Sequence, residues 1–280
     1  MDLSFRCSQG YTARMPNIEK HAPGSFCWIE LATTDQSAAK KFYEALFGWQ
    51  PNDMPMGPND FYTMFRLEGR DAAAGYTLRA EQRSQGVPPH WLLYIAVESA
   101  DSAAQHAAEL GGKVLAPAFD VFDAGRMAVL QDPTGAAFSV WQAKQNTGIG
   151  ISGVDGTLCW VDLDTPDRDR AGAFYSGLFG WVLGKEDEDP AHAYWHIKNG
   201  EEFIGGMTPP SHRNPNAPPH WLGYFLVSDC DASAAKAKAM GANLYLPPMT
   251  IEHVGRMSVI ADPQGAVFAT FQPPAEAQKP

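Results

Sequence analysis

The sequence predicts an α+β fold built as one unit written twice, each unit a mixed sheet backed by helices. Three observations carry this. The stretch KFYEALFGWQ at 41–50 returns as AFYSGLFGWV at 173–182. Around it, GSFCWIELATTD (24–35), PPHWLLYIAV (88–97) and GRMAVLQDPTGAAFSVWQ (125–142) are matched by GTLCWVDLDTPD (156–167), PPHWLGYFLV (218–227) and GRMSVIADPQGAVFATFQ (255–272). The offset is 132 early and 130 later, so a loop loses two residues and one fold is used twice. Within each copy the apolar period switches between two and 3.6.

The elements follow in order. Residues 26–32 alternate and are rich in aromatic and β-branched types, which predicts a strand. Thr34 or Asp35 offers an N-cap, and Ala39, Phe42, Tyr43, Leu46 and Phe47 recur at helical spacing until Gly48 ends the helix. The repeated stretch is the buried stripe of that helix. Residues 61–67 and 73–78 read as two strands joined at 68–71, and HWLLYIAV opens a second half-unit. An Ala-rich helix at 101–110 stops at a Gly pair. Strands 125–131 and 136–142 are joined by DPTG, whose Asp, Pro and Gly suit a type I turn. Each copy thus reads as β-α-β-β twice, with six to eight strands.

Composition bounds the function. The 280 residues carry a net charge of −11, which argues against nucleic-acid binding and means that an anionic ligand would need a local Arg. No stretch reaches the 18 apolar residues of a membrane span, and the first 22 residues lack a signal-peptide core, so no membrane partner is expected and the expected compartment is cytoplasmic. Cys7, Cys27, Cys159 and Cys230 form no CxxC pair; Cys27 and Cys159, equivalent in the repeat, read as buried thiols. The expected domains are an N-terminal extension (1–22), a first module (23–145), a linker (146–155), a second module (156–273) and a tail (274–280). The extension is expected to be poorly ordered, with Met15 an alternative start.

WIELATTD, AAKKFYEALFGW, GRM and DPTGAAFSVWQ together resemble the vicinal oxygen chelate superfamily, which includes glyoxalase I, bleomycin-resistance proteins and extradiol dioxygenases. The likeness is to tandem glyoxalase-like antigens and spans 24–145 and 156–273. It implies paired βαβββ modules whose sheets curl around a cup, and in metal-dependent members four ligand positions. Mapped onto this chain, the first-strand position falls on Trp28 and Trp160, the second half-unit's strand position on Leu92 and Leu222, and the last-strand position on Ser139 and Ala269. The strands 73–78 and 204–207 contain no His, Asp or Glu. No complete metal shell is expected, and no cofactor.

Parity along the strands then nominates the cup's lining. Trp28 and Glu30 share a face, repeated by Trp160 and Asp162; His90 and Tyr94 are repeated by His220 and Tyr224; Ser139 and Trp141 by Ala269 and Phe271. Arg126 and Arg256 are placed at the mouth, and His196 in the second cup. The ligand-binding set is therefore Trp28, Tyr94, Arg126, Ser139, Trp141, Trp160, Asp162, His196, His220, Tyr224, Arg256 and Phe271. His90 and Glu30 are the candidate acid and base, and Arg126 the anchor for a ligand carboxylate. A structural alternative has Glu30 paired with Arg126 and His90 capping its strand.

An aromatic cup suits a small aromatic or apolar organic ligand. A metal-dependent lyase or ring-cleaving dioxygenase, and a metal-free hydroxylase or isomerase, stand as alternatives, and a homodimer is left open. GIGISG at 148–153 has dinucleotide-fingerprint spacing but no strand–helix context, and reads as a flexible linker. His192 and His196, four apart on a strand, cannot share one ion. His21, His106 and His212 fall in segments expected to be exposed, and MPMGPND reads as a Pro-rich loop.

Overall fold

The computed structural model describes residues 17–58, 60–185 and 193–274. Cys7, Met15, His192 and most of the tail lie outside the described residues. The first module runs β1 (Phe26–Thr33), α1 (Gln36–Phe47), β2 (Gln50–Gly57), β3 (Asp60–Leu67), β4 (Arg70–Thr77), a short α2 (Ala80–Ser84), β5 (His90–Ala96), α3 (Ala100–Glu109), β6 (Lys113–Val121), β7 (Gly125–Gln131) and β8 (Ala137–Ala143). The second runs β9 (Leu158–Asp164), α4 (Arg168–Phe179), β10 (Val182–Lys185), β11 (Trp195–Asn199), β12 (Glu202–Met207), β13 (His220–Leu226), α5 (Cys230–Ala239), β14 (Asn243–Ile251), β15 (Gly255–Ala261) and β16 (Val267–Gln272).

Each module is one eight-stranded mixed sheet, in the order β2-β3-β4-β1-β5-β8-β7-β6 and its counterpart β10-β11-β12-β9-β13-β16-β15-β14. Two strands per module were not foreseen. MPMGPND lies mostly in β2, which is exposed along its whole length and pairs only with β3. Pro51 and Pro55 are tolerated because an edge strand has spare donors to lose. The other edge, β6, carries mostly exposed residues and so lacks the apolar alternation that marks a half-buried strand.

The helix boundaries follow the capping chemistry. Asp35 accepts from Ala38 N at 2.9 Å and Gly48 ends α1 at φ +73°; Asp167 and Gly180 do the same for α4.

The repeated FYxxLFGW stretch holds the two modules together. Trp91 Nε1 donates to Tyr43 Oη at 3.1 Å, and Tyr43 donates to Asp262 Oδ2 in the other module at 2.9 Å. Reciprocally, Trp221 Nε1 donates to Tyr175 Oη at 2.8 Å, and Tyr175 to Asp132 Oδ2 at 3.1 Å. The indoles ending each stretch also cross over: Trp49 donates to the Gly156 carbonyl and Trp181 to that of Gly24, at 2.9 and 2.8 Å. Phe47 packs on Phe225, and Phe179 on Phe138, with centroids 5.0 and 6.1 Å apart. The aspartate of each DPxG turn therefore has two uses. Oδ1 caps its own turn, accepting from the backbone two to four residues on, while Oδ2 receives the partner module's tyrosine.

The linker departs from its expected looseness. Ile149 and Ile151 are buried, and residues 17–21 pack on it: Ile18 N donates to the Gly150 carbonyl at 3.1 Å, and His21 Nε2 donates to that of Ile149 at 2.9 Å. His21 is accordingly half-buried rather than exposed, whereas His106 and His212 are exposed as expected. No helix among the described residues is long and apolar enough to cross a membrane.

Candidate functional site

The strand registers put one set of side chains on the face turned away from the other module. Trp28 pairs with Tyr94 and Tyr94 with Ser139; Glu30 pairs with Ala74 and Leu92; Ala32 lies between Tyr76 and His90; Trp141 pairs with Met127, and Met127 with Phe119. This face becomes the cup as the sheet curves. Its middle is buried, with Glu30 8% exposed, while Met54 and Phe119 on the edge strands are about half exposed.

A carboxylate stands at the centre of each cup. In the first, Tyr94 Oη donates to Glu30 Oε1 at 2.9 Å, Tyr62 also hydrogen bonds to Glu30, and Trp28 Nε1 donates to Tyr62 Oη at 3.1 Å. In the second, Tyr194 and Tyr224 Oη donate to Asp162, the latter at 2.8 Å, and Trp160 Nε1 donates to it at 3.1 Å. Burial pushes both acids above the ordinary carboxyl range, opposed by these hydrogen bonds and, for Glu30, by the charge of Arg79. Burial and the neighbouring carboxylate hold Tyr62, Tyr94, Tyr194 and Tyr224 well above the usual phenol value, so they serve as neutral donors.

The acids differ by one methylene, and the opposing strand compensates. A Cβ on Gly206 would collide with the Tyr194 hydroxyl, so glycine there lets the phenol approach the shorter Asp162. Glu30 faces Ala74 at the matching position. Glycine also explains GRM. A Cβ on Gly125 would strike the Trp141 indole, and one on Gly255 the Phe271 ring. Trp141 is fixed further by Nε1 donating to the Asn146 carbonyl at 2.9 Å. The methionine of the motif faces the cup, with Met127 Sδ 3.9 Å from Tyr94 Oη.

The arginine of the motif sits elsewhere than the sequence placed it. Arg126 grips Asp101, at the start of α3, with Nε and Nη2 at 2.7 and 2.9 Å, and does not reach Glu30. Arg256 grips Asp231 likewise, at 2.5 and 2.7 Å. These hydrogen bonds hold both guanidinium groups above and both carboxyls below their ordinary pKa ranges. The Glu30–Arg126 pair thus gives way to a clasp between the second helix and the sheet, the Asp being the residue next after that helix's first.

His90 faces the cup one row from Glu30, and its Nδ1 donates to the Pro88 carbonyl at 2.8 Å; burial pulls its pKa down, so the ring is neutral near pH 7. No hydrogen bond joins it to Glu30. His220 repeats the contact to Pro218 at 2.9 Å and lies opposite Asp164, whose Oδ1 is 2.7 Å from Arg213 Nε. His196 lines the second cup, its ring centroid 6.5 Å from Trp160 and 5.0 Å from Tyr194. Ser139 Oγ is buried with no hydrogen-bond partner. Cys27 and Cys159 are free thiols donating to the Tyr94 and Tyr224 carbonyls, Cys27 buried as expected and Cys159 half-buried, and desolvation raises their pKa values.

Sequence reasoning missed Tyr62, Tyr76 and Tyr194. Part of the signal was present: the period of two, extended along DFYTMF and AAAGYT, puts Tyr62 and Tyr76 on the sheet face that carries Glu30.

Metal sites want several anionic or imidazole donors converging within about 2.0 to 2.6 Å. Each cup centre offers one carboxylate, already hydrogen bonded by phenols that resist ionisation, and no group of three His, Cys, Asp or Glu residues converges anywhere among the described residues. This donor set does not fit a divalent ion.

The geometry agrees with comparisons to known proteins. Residues 25–140 match the model of the glyoxalase/bleomycin resistance protein/dioxygenase superfamily and residues 160–271 that of a glyoxalase-like domain. CFP32 of Mycobacterium tuberculosis, which carries the name glyoxylase, is 42% identical over 261 residues, 92% of this chain and 98% of that protein. The anthracycline biosynthesis protein DnrV of Streptomyces peucetius is 32% identical over 269 residues, 91% and 95% of the two chains. Among solved structures, the Mn(II)-bound glyoxalase of Novosphingobium aromaticivorans superposes with a TM-score of 0.62 at 14% identity, covering 92% of this chain and 83% of that one. The 2,3-dioxygenase LapB of Pseudomonas sp. KL28 superposes at 0.60 with 15% identity over 95% and 97%. At such identities the superpositions speak for the fold alone. With both halves matched and full-length relatives above 30% identity, the chain belongs to the glyoxalase/bleomycin resistance protein/dioxygenase superfamily.

Proposed function

We propose that the protein binds a small, flat aromatic or apolar organic molecule in a metal-free cup. The observation that carries this reading is the centre of the cup: a single carboxylate, hydrogen bonded by tyrosines and walled by Trp28, Tyr94 and Trp141, stands where coordinating side chains would have to converge. Aromatic walls give a flat ligand large apolar contact, and the carboxylate–phenol centre rewards a polar substituent placed against it. The anthracycline biosynthesis names of two relatives support the reading, since anthracyclines are flat, fused-ring molecules. The test is titration of the full chain, stripped of metal by a chelator, with a panel of flat aromatic compounds while tryptophan fluorescence is followed. Quenching that saturates without metal is expected. Binding that appears only on restoring Mn, Fe, Ni or Zn would overturn the reading.

A further inference from the structure

The two cups differ in which polar groups they leave unspent. On the first cup's face Tyr76 stands in the row of Tyr62, Ala32 and His90, and accepts a hydrogen bond from Gln82 Nε2 at 3.0 Å. Its own hydroxyl proton has no acceptor within reach among the described residues. Arg79 stands two residues past the end of β4, at the start of the short α2 that carries Gln82, and is exposed. It has no ion-pair partner among the described residues. It is also close enough for its charge to oppose the burial that raises the pKa values of Glu30 and Tyr76. Deeper in, Ser139 Oγ is buried without a partner beside Tyr94.

The second cup has none of the three. Thr208 stands in register where the first has Tyr76, and its hydroxyl turns to the Leu163 carbonyl. Ala269 replaces Ser139. No arginine follows until Arg213, which is spent on Asp164, and that acid stands where the first cup has Ala32. Among the described residues the second cup thus lacks the equivalents of Tyr76, Arg79 and Ser139 that the first cup carries.

We infer that the first cup alone is the binding site, and that it takes one aromatic carboxylate per chain, with the acid group at the mouth between the Arg79 guanidinium and the Tyr76 hydroxyl and the ring inside. This rests on the aromatic-cup reading above and assigns its ligand class. The orientation follows from charge. The centre of the cup presents an acid, Glu30, rather than a cation, so the acid end stays at the mouth, where the guanidinium can make charge-assisted bonds to its oxygens. The ring then lies against Trp28, Tyr94 and Trp141. In a chain of net charge −11, this unpaired Arg supplies the local attraction an anion needs.

The probes are 1-naphthoate and its uncharged counterpart 1-naphthalenemethanol, titrated calorimetrically and by fluorescence into the full chain at low salt. Naphthoate is expected to bind once per chain and about tenfold tighter than the alcohol. In Arg79→Gln, whose folding is checked by its melting temperature, that preference should vanish while the alcohol's affinity stays within about twofold. Tyr76→Phe should reduce the preference in part. An alcohol that binds as tightly as the acid, a preference that survives Arg79→Gln, or two sites per chain would overturn the inference and leave the aromatic cup standing. Failure of both probes to bind would overturn the two together.

Discussion

Glu30 and Asp162 do the same work at different side-chain lengths, and the difference is absorbed by a single methyl across the sheet. Gly206→Ala should push Tyr194 off Asp162 and cost about 1–3 kcal/mol by overpacking and a lost hydrogen bond. Denaturant unfolding measures the cost, and a wild-type midpoint would show that the phenol can move freely. The buried acids also make stability depend on pH. Glu30 binds its proton more tightly folded than unfolded, since its folded pKa lies above the ordinary 4.5. Its contribution is complete below the unfolded value and is lost as pH rises through the folded one. Glu30→Gln should therefore flatten the decline in unfolding free energy from about pH 4.5 upward, relative to wild type. A decline of unchanged slope would mean that other groups set it.

Among elements, the repeated helix end matters most. Its tyrosines stand between an indole of their own module and an aspartate of the other, so each connects two cores. Tyr43→Phe leaves the Trp91 N–H and Asp262 Oδ2 without their partner in a buried place, and should cost about 1–3 kcal/mol. Tyr175→Phe should do likewise from the other side, and both are read by denaturant unfolding. Loss of less than half a kcal/mol would show that water replaces the hydroxyl. The GRM strands follow the same economy. Glycine yields space to the cup's aromatic ring, arginine ties the sheet to the helix behind it, and methionine fills the cup below the tyrosine.

At the scale of the whole molecule the modules share one core. Trp49, Phe47 and Tyr43 lie against Phe225 and Phe268, and the linker isoleucines are buried with them. A chain ended after residue 145 would expose that apolar face and leave Tyr43 and Trp49 without acceptors. Such a fragment should associate or lose cooperative unfolding, as sedimentation and calorimetry would report. A monomeric fragment with a sharp transition would show that the modules are independent.

The repeat, its strand and helix order and the aromatic lining were legible in the sequence because they depend on local period and on self-similarity. FYEALFGW and its copy announce a buried helix face; WIEL and HWLLY announce which residues share a side of the sheet. The edge strands β2 and β6 were not legible, because an exposed edge needs no apolar alternation. What the buried helix face meets was also hidden. Arg126 shows the limit best: sequence placed it at the mouth of the cup, but its partner Asp101 is 25 residues away and on another element, and only the folded sheet brings them together. By itself the sequence determined the duplicated modules, their family and which aromatic side chains share a sheet face with Glu30 and Asp162. Tertiary structure alone decided which tyrosines hold that acid, which arginine remains unpaired and how the two halves lock, because those are contacts between distant residues whose distances no local pattern encodes.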